Sequence, residues 1–203
     1  MDRRRRAACA EAGVKAEAFT ADVRDRDRLL SVLDTVVERY GGVDVVYYGP
    51  ASIDPDAHPT PILQAGAADV ERVMSATVYP AADVVQKVLP GMIERGTGGL
   101  LFAGGLSAVM PMPALGNLAV SSAALRNYVL TLNAALAEQG VYAGSLIIGG
   151  VIERGDIHRM VTSQPERYGS AVGMTLDPDT LADAIWDLYS TRDRAEATFS
   201  VFG

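Results

Sequence analysis

The sequence predicts an α/β fold in which helices cover both faces of a doubly wound parallel sheet, within one domain spanning residues 1–203. Three observations support this prediction. Strand and helix signals alternate along almost the whole chain, which is the pattern of a parallel sheet with crossover helices. Hydrophobic residues make up 49% of the sequence and charged residues 21%, which is typical of a globular protein. The length fits one domain with a sizeable core.

Five segments carry strand signals. Residues 14–20 alternate apolar and polar side chains, which is the pattern of a half-buried strand. Residues 43–48 form a short apolar run closed by Gly49 and Pro50, which favours a buried strand that ends in a turn. The remaining predicted strands cover residues 100–103, 141–148 and 197–202.

Four segments carry helix signals, at residues 24–40, 67–94, 118–139 and 178–190. Gly41 and Gly140 follow the first and the third, as expected where a helix ends. Pro80 predicts a kink inside the second. Asp177 is a suitable N-cap for the fourth, and Pro178 suits the first helical position.

The net charge and the lack of targeting signals exclude some kinds of partner and favour one cellular compartment. The formal net charge is −7, which argues against nucleic acid as a general partner. No apolar run is long enough to span a bilayer, and no long apolar stretch follows the basic residues 1–6, so neither a membrane partner nor a signal peptide is predicted. Cys9 is the only cysteine, so no intrachain disulfide can form. These signals predict a cytoplasmic protein.

Two stretches carry a family resemblance. Residues 99–107 have the pattern of an apolar strand ending in small residues, and residues 117–125 open a long helix. Together they resemble the active-site half of the short-chain dehydrogenase/reductase family. Residues 44–51 resemble that family's fourth strand and the Asn-Asn-Ala-Gly motif after it. The resemblance covers nearly the whole chain and implies a Rossmann-like sheet, here missing the first two strands of the family fold.

The resemblance also implies where catalytic side chains should stand. The family uses an Asn-Ser-Tyr-Lys set, and its positions are occupied here by Thr77, Gly105, Leu118 and Ser122. Residues four apart on a helix share a face, so a Lys one turn after a Tyr can lower the Tyr pKa for acid–base work. Leu118 has no ionisable group and Ser122 carries no charge. The usual family mechanism therefore cannot run from these positions, and the active site is predicted to be degenerate.

NADP or NAD is a possible cofactor by this resemblance. The positions that would contact it are Asp22, Val23, Tyr48, Gly49 and Gly149. A carboxylate at Glu153 stands where the family has a Thr near the pyrophosphate, and like charges repel, which counts against ordinary cofactor binding. The basic run at residues 3–6 fits either a solvated helix start or the remnant of a 2′-phosphate site.

Nothing before Asp2 corresponds to the family's first strand, Gly-rich turn or second strand, so the cofactor is expected to be absent unless a longer form supplies them. Three explanations are open. The start is internal to a longer protein, which we favour; residues 14–20 pair directly with residues 43–48; or a second copy covers the exposed edge.

Ser107 and His158 are the candidate catalytic residues that remain. Ser107 lies two residues after the family's Ser position and can substitute only if the loop shifts. His158, with Asp156 or Glu153, could supply acid–base chemistry, although a loop that closes over the ligand is the favoured interpretation of residues 153–158. Tyr47 and Tyr48 are further proton-donor candidates.

One short run has the composition of a metal site. Asp54, Asp56 and His58 lie close enough in sequence to ligate a metal. An Asp-Pro turn with an exposed His explains them better, so no metal is predicted.

Three functional hypotheses follow. The first is a degenerate protein of this family type that binds a ligand or a partner without the usual redox chemistry. The second is a divergent NADP(H)-dependent oxidoreductase whose full-length form carries the Gly-rich loop. The third, compatible with both, is a homodimer or homotetramer assembled through the helices at residues 67–94 and 118–139, whose alanines allow close packing.

Overall fold

A computed structural model of the chain describes Cys9, residues 11–49 and residues 59–202. The strands are β1 (Val45–Tyr48), β2 (Gly98–Gly105), β3 (Val141–Gly149), β4 (Val151–Ile152), β5 (Thr175–Leu176) and β6 (Glu196–Ser200). The central sheet has four strands in the order β1-β2-β3-β6 with every pair parallel, and a second sheet pairs β4 with β5. The predicted α/β class and parallel sheet are confirmed.

Helices cover both faces of the larger sheet. The helices are α1 (Arg26–Tyr40), α2 (Ala67–Thr77), α3 (Tyr79–Arg95), α4 (Gly116–Ala135), α5 (Asp156–Ser163), α6 (Pro165–Tyr168) and α7 (Pro178–Thr191). Helices α3 and α4 pack on one face, α7 packs on the other, and α1 packs against α3. None of the helices in the described part of the chain has the length and apolarity needed to cross a bilayer.

Side-chain alternation along the strands divides the core in two. Leu100 and Phe102 of β2 point towards α3 and α4 and join the larger buried cluster. Leu101 points the opposite way and packs with Tyr142 and Leu188 beneath α7. The strand ends therefore sit between two packed layers, and the loops that follow the strands lie at one edge of the sheet.

The prediction of a strand at residues 14–20 is wrong. The segment pairs with no strand among the described residues, so its direct pairing with β1 is also absent, and its side chains are exposed. It runs instead beside the end of α1, where Glu17 pairs with Arg39 and Lys15 lies over the Tyr40 ring. Alternation of apolar and polar side chains does not by itself produce a strand, because a strand needs a neighbouring strand to pair its backbone N–H and C=O groups.

Three helix predictions need correction. The helix predicted at residues 118–139 ends at Ala135, so Gly140 follows a turn and not the end of α4. Residues 67–94 form two helices separated at Val78, and Pro80 lies in the first turn of α3 rather than kinking one long helix. Proline lacks an N–H group, and the first turn is where that group has no intrahelical partner. Residues 153–158 are not all loop, because α5 begins at Asp156 and buries Val161.

Candidate functional site

The end of β2 brings three small residues together. The Oγ atoms of Ser107 and Ser122 lie 3.6 Å and 3.7 Å from the point that a Cβ on Gly105 would occupy. The positions that correspond to the family's Ser and Lys are therefore neighbours, although they are 17 apart in sequence. The two side chains at this point carry hydroxyl groups and no charge.

Both serine hydroxyls lack a hydrogen-bond partner among the described residues. Ser107 is buried, with 9% of its surface exposed, and Ser122 is half-buried. No fully enclosed side-chain oxygen in that part of the chain lacks a partner, so both hydroxyls must reach solvent. Ser107 can therefore donate to, or accept from, a small molecule in the niche beside Gly105.

Leu118 begins the first full turn of α4 and is half-buried. The residue before it, Asn117, is 0% exposed, and its Oδ1 accepts from the backbone N–H groups of Thr60 (2.8 Å) and Leu118 (3.0 Å). Its Nδ2 donates to the Asp69 carbonyl at 3.2 Å. Asn117 thus joins the start of α4 to the loop before α2 and fixes where Leu118 stands.

Thr77 uses its polar groups within the fold. Its Oγ1 donates to the Val73 carbonyl at 2.6 Å, and its own carbonyl accepts from the Tyr48 hydroxyl at 3.1 Å. Tyr48 is buried in the α3 face of the core against Phe102. Neither side chain offers its hydroxyl to the niche beside Gly105.

The two tyrosines of β1 point to opposite faces. Tyr47 lies on the α7 face, is 57% exposed, and folds its ring over Gly49, within 3.0 Å of the point a Cβ there would take. Desolvation raises the pKa of both tyrosines above the ordinary value of 10. Both phenols therefore stay protonated at neutral pH, unlike a tyrosine prepared to release a proton.

The residues after β3 are engaged with the protein itself. A Cβ on Gly149 would lie 2.8 Å from a Leu106 methyl carbon and 2.9 Å from the Ser200 hydroxyl, so this glycine allows close packing. Glu153 accepts a 2.7 Å hydrogen bond from Thr175, which ties its carboxylate to β5.

His158 lies on α5 and is half-buried. Asp156 pairs with Arg159, and Glu153 bonds to Thr175. Within the described ranges no hydrogen bond joins His158 to either carboxylate. The structure therefore shows no acid–base pair at His158, and its catalytic role stays a prediction.

Asp22 and Val23 lie in the turn before α1. The Arg24 guanidinium donates to both carboxylate oxygens of Asp22 and holds the pKa of that carboxyl below its ordinary value of 3.8. Val23 is half-buried beside it. The basic run at residues 3–6 and the run from Asp54 to His58 lie outside the described residues.

Sequence reasoning missed the pair Gly116 and Asn117. A Cβ on Gly116 would lie 2.0 Å from the Thr60 carbonyl oxygen, so the loop can approach only because this residue has no side chain. The available signal was the Gly-Asn pair immediately before the helix predicted at residues 118–139. Its loop partner is 57 residues away from Asn117, which no local pattern reveals.

A parallel sheet with helices on both faces defines the class of doubly wound α/β folds, in which ligands bind at the carboxyl ends of the strands. The family model of the short chain dehydrogenases matches residues 2–163. The chain therefore belongs to the short-chain dehydrogenase/reductase family.

Its relatives are distant reductases. The chain is 22% identical over 177 residues to tropinone reductase-like 1 from Erythroxylum coca, covering 85% of this chain and 65% of the relative. It is 25% identical over 135 residues to a 3-oxoacyl-(acyl-carrier-protein) reductase from Thermotoga maritima, covering 66% and 53%. The chain spans 53 to 66% of the length of the curated relatives it matches.

Solved structures share the fold at low identity. The L-sorbose reductase from Gluconobacter frateurii, complexed with NADPH and L-sorbose, has a TM-score of 0.80 at 19% identity, covering 96% of this chain and 79% of that one. A gluconate 5-dehydrogenase from Burkholderia cenocepacia, in complex with NADP and tartrate, has a TM-score of 0.76 at 20% identity, covering 98% and 77%.

The described residues do not fit a dinucleotide in the way the resemblance implies. Ser122 supplies no cation for a ribose, and both lysines of the chain are engaged elsewhere, Lys15 over Tyr40 and Lys87 with Asp34. The Tyr47 ring covers Gly49, where the cofactor would approach the chain. We therefore derive no chemical step through a bound nucleotide.

Proposed function

We propose that this chain is a short-chain dehydrogenase/reductase with a degenerate active site, which binds a small molecule at the strand ends without the family's redox mechanism. The observation that carries the proposal is the niche beside Gly105. Ser107 and Ser122 converge there, and Leu118 holds the tyrosine position. A proton donor with a pKa near neutrality and a lysine to tune it are both replaced by groups that do not titrate.

The test measures nucleotide binding and turnover separately. Calorimetry with NADPH and NADH reports binding, and oxidation of NADPH in the presence of a panel of ketones reports turnover. We expect no turnover above the rate without protein, whether or not a nucleotide binds. Reduction of a ketone at rates ordinary for enzymes, about 1 per second or faster, would overturn the proposal.

A divergent NADP(H)-dependent oxidoreductase is the second candidate. It is favoured by the relatives, which are named as reductases, and by the open Ser107 hydroxyl. If it is correct, turnover should fall at least about a hundredfold in Ser107→Ala or His158→Ala, the size of a lost general acid or donor. Ser31→Ala, at an exposed position of α1 outside the proposed interface, is the control and should keep full activity.

We also infer that the protein is cytoplasmic and assembles as a homodimer or homotetramer through α2, α3 and α4. Val120, Ala123, Asn127 and Thr131 form an exposed stripe along α4 at helical spacing. Small and apolar side chains in such a stripe allow two helices to pack closely. This assembly is compatible with either functional candidate.

A further inference from the structure

The Tyr47 side chain covers the carboxyl end of the edge strand β1. Gly49 follows the last residue of that strand, and the Cε1, Oη and Cζ atoms of Tyr47 lie 3.0, 3.1 and 3.2 Å from the point that a Cβ on Gly49 would occupy. Apart from the two chain neighbours of Gly49, these are the heavy atoms of the described residues nearest to that point. The ring therefore lies directly against the backbone at the strand end.

Glycine at residue 49 is what allows this contact. Carbon atoms in ordinary van der Waals contact are about 3.5 to 4.0 Å apart, so a Cβ at this residue would push the ring out of its present place. Glycine is typical of positions that another group approaches closely. The sequence Tyr-Tyr-Gly at residues 47–49 thus supplies both the ring and the bare backbone that the ring covers.

Apolar contact alone holds the Tyr47 ring. The residue borders an apolar surface that includes Ile148, Ile152 and Pro178, and its hydroxyl makes no hydrogen bond to any described residue. Tyr47 is 57% exposed. Exposed side chains change rotamer within picoseconds to nanoseconds, and here no buried hydrogen bond has to break. The ring is therefore free to rotate into solvent.

The neighbouring Tyr48 is held in a different way. It is 7% exposed, its ring centre lies 5.8 Å from that of Phe102, and its hydroxyl donates to the Thr77 carbonyl at 3.1 Å. One tyrosine of β1 is therefore fixed in the core, whereas the other lies on the surface over the strand end. Of the two, only Tyr47 can change position without disturbing the core.

The place that this ring fills affects how a ligand can approach. In doubly wound sheets, ligands bind outside the carboxyl ends of the strands. A dinucleotide, which is the ligand that the family resemblance implies, would have to displace the ring before it could contact the backbone at Gly49. When only a fraction of the molecules can accept a ligand, the apparent affinity falls by that fraction.

We propose that Tyr47 is a gate at the end of β1. Its ring occupies the place that a dinucleotide needs, and a dinucleotide binds only to molecules in which the ring has rotated into solvent. The gate determines an affinity, whereas the proposed function concerns turnover, so each is tested by its own measurement. Removing the ring should open the strand end permanently.

Calorimetry with NADPH and NADH on the wild type and three variants tests the gate. Tyr47→Ala should bind at least about tenfold more tightly than the wild type, because the closed population is abolished. Tyr47→Phe keeps the ring and should bind like the wild type, since the hydroxyl has no partner to lose. Val45→Ala shortens an exposed side chain two residues earlier on the same strand and is the matched control, with unchanged affinity.

Nuclear magnetic resonance of Gly49 reports the position of the ring directly. An aromatic ring shifts the resonances of protons that lie against it, so the Gly49 resonances should move in Tyr47→Ala. They should stay nearly in place in Tyr47→Phe, which keeps the ring, and in Val45→Ala. The same spectra show whether each variant remains folded.

Three outcomes would overturn the gate. The first is equal affinity of the wild type and Tyr47→Ala, including no measurable binding by either. The second is an equal gain in Val45→Ala, which would assign the effect to lost apolar surface. The third is a set of Gly49 resonances that do not respond to removal of the ring. Oxidation of NADPH with ketones is measured separately and decides the proposed function, so tighter binding by Tyr47→Ala without turnover supports both proposals.

Discussion

Asn117 is the single side chain on which the geometry of the candidate site depends most. It is fully buried, and it satisfies two backbone N–H groups and one carbonyl. Removing the amide leaves these groups unpaired in a place that water does not reach, and each such group costs about 1 to 3 kcal/mol. We expect Asn117→Ala to lower the free energy of unfolding by about 2 kcal/mol or more.

Denaturant unfolding measures this change. Ser31→Ala, at an exposed helical position of α1 outside the proposed interface, is the control, with an expected change within about 0.5 kcal/mol. Equal effects of the two substitutions would show that helix propensity, rather than the buried hydrogen bonds, determines the result.

The same substitution to alanine should destabilise the protein at one glycine of the site region and leave its stability nearly unchanged at another. In Gly116→Ala the new Cβ would meet the Thr60 carbonyl oxygen at 2.0 Å, so the loop must move, and we expect a loss of about 1 to 3 kcal/mol. In Gly105→Ala the nearest atoms are serine hydroxyls at 3.6 Å and 3.7 Å, so stability should change by less than about 0.5 kcal/mol. Thermal and denaturant melting of both variants decides the point, and a reversed order would contradict the contact geometry.

At the scale of elements, the start of α2 is stabilised by a carboxylate. Asp69 accepts from the Gly66 N–H at 3.0 Å and from Arg72 at 2.8 Å, and these bonds hold its pKa below the ordinary value of 3.8. A depressed carboxyl pKa stabilises the folded state above the unfolded pKa, and this contribution is lost as the pH falls through the folded value. We expect Asp69→Asn to be less stable than the wild type at neutral pH.

The difference should shrink below pH 3.8, where the wild-type carboxyl also becomes protonated. The asparagine keeps an oxygen acceptor for the Gly66 N–H but turns its NH2 group towards the Thr60 and Arg72 donors, so the charge is reported by the pH dependence of the difference and not by its size. Chemical unfolding from pH 7 down to pH 3 measures it, if the protein remains folded over that range. A stability difference that is constant across that range would show that the charge of Asp69 is unimportant.

An ion pair joins α4 to β6. Arg126 donates to both carboxylate oxygens of Glu196, at 2.6 Å and 2.9 Å, and this pair raises the pKa of the guanidinium. Both side chains are partly shielded from water, with 33% and 21% exposure. Arg126→Met keeps the apolar stem and should cost about 1 to 2 kcal/mol.

The control is Arg72→Met, which breaks a more exposed pair and should cost less than about 0.5 kcal/mol. Denaturant unfolding measures both variants. If both substitutions lower the free energy of unfolding equally, the two hydrogen bonds from Arg126 to Glu196 contribute no more than a surface ion pair does.

For the whole molecule, assembly through α4 is the prediction with the widest consequence. Ala123 lies in the exposed stripe of that helix, so Ala123→Glu would place a charge against the partner copy and should dissociate the oligomer. Light scattering across a range of concentrations measures the mass. Ser31→Glu, exposed on α1, is the control and should leave the oligomer intact. A wild-type protein that stays monomeric at high concentration would remove this proposal.

Several elements could be read from sequence because their signals are local. The end of α1 at Gly41, the N-cap at Asp177 and the apolar run of β3 each depend on neighbours within a few residues. The family positions at Gly105, Leu118 and Ser122 were equally local, since fixed spacing along one strand and one helix defines them. The loss of titratable groups at those positions needed no coordinates.

The tertiary structure decided what depends on distant partners. Residues 14–20 have a strand pattern but no strand beside them, and a backbone without a hydrogen-bonding neighbour does not form a sheet. The approach of Ser122 to Gly105 and the hydrogen bond from the Thr60 N–H to Asn117 each join segments far apart in the chain. The sequence by itself determined the family and the α/β class. Only folding decided which side chains meet, because packing and hydrogen bonding act through space rather than along the chain.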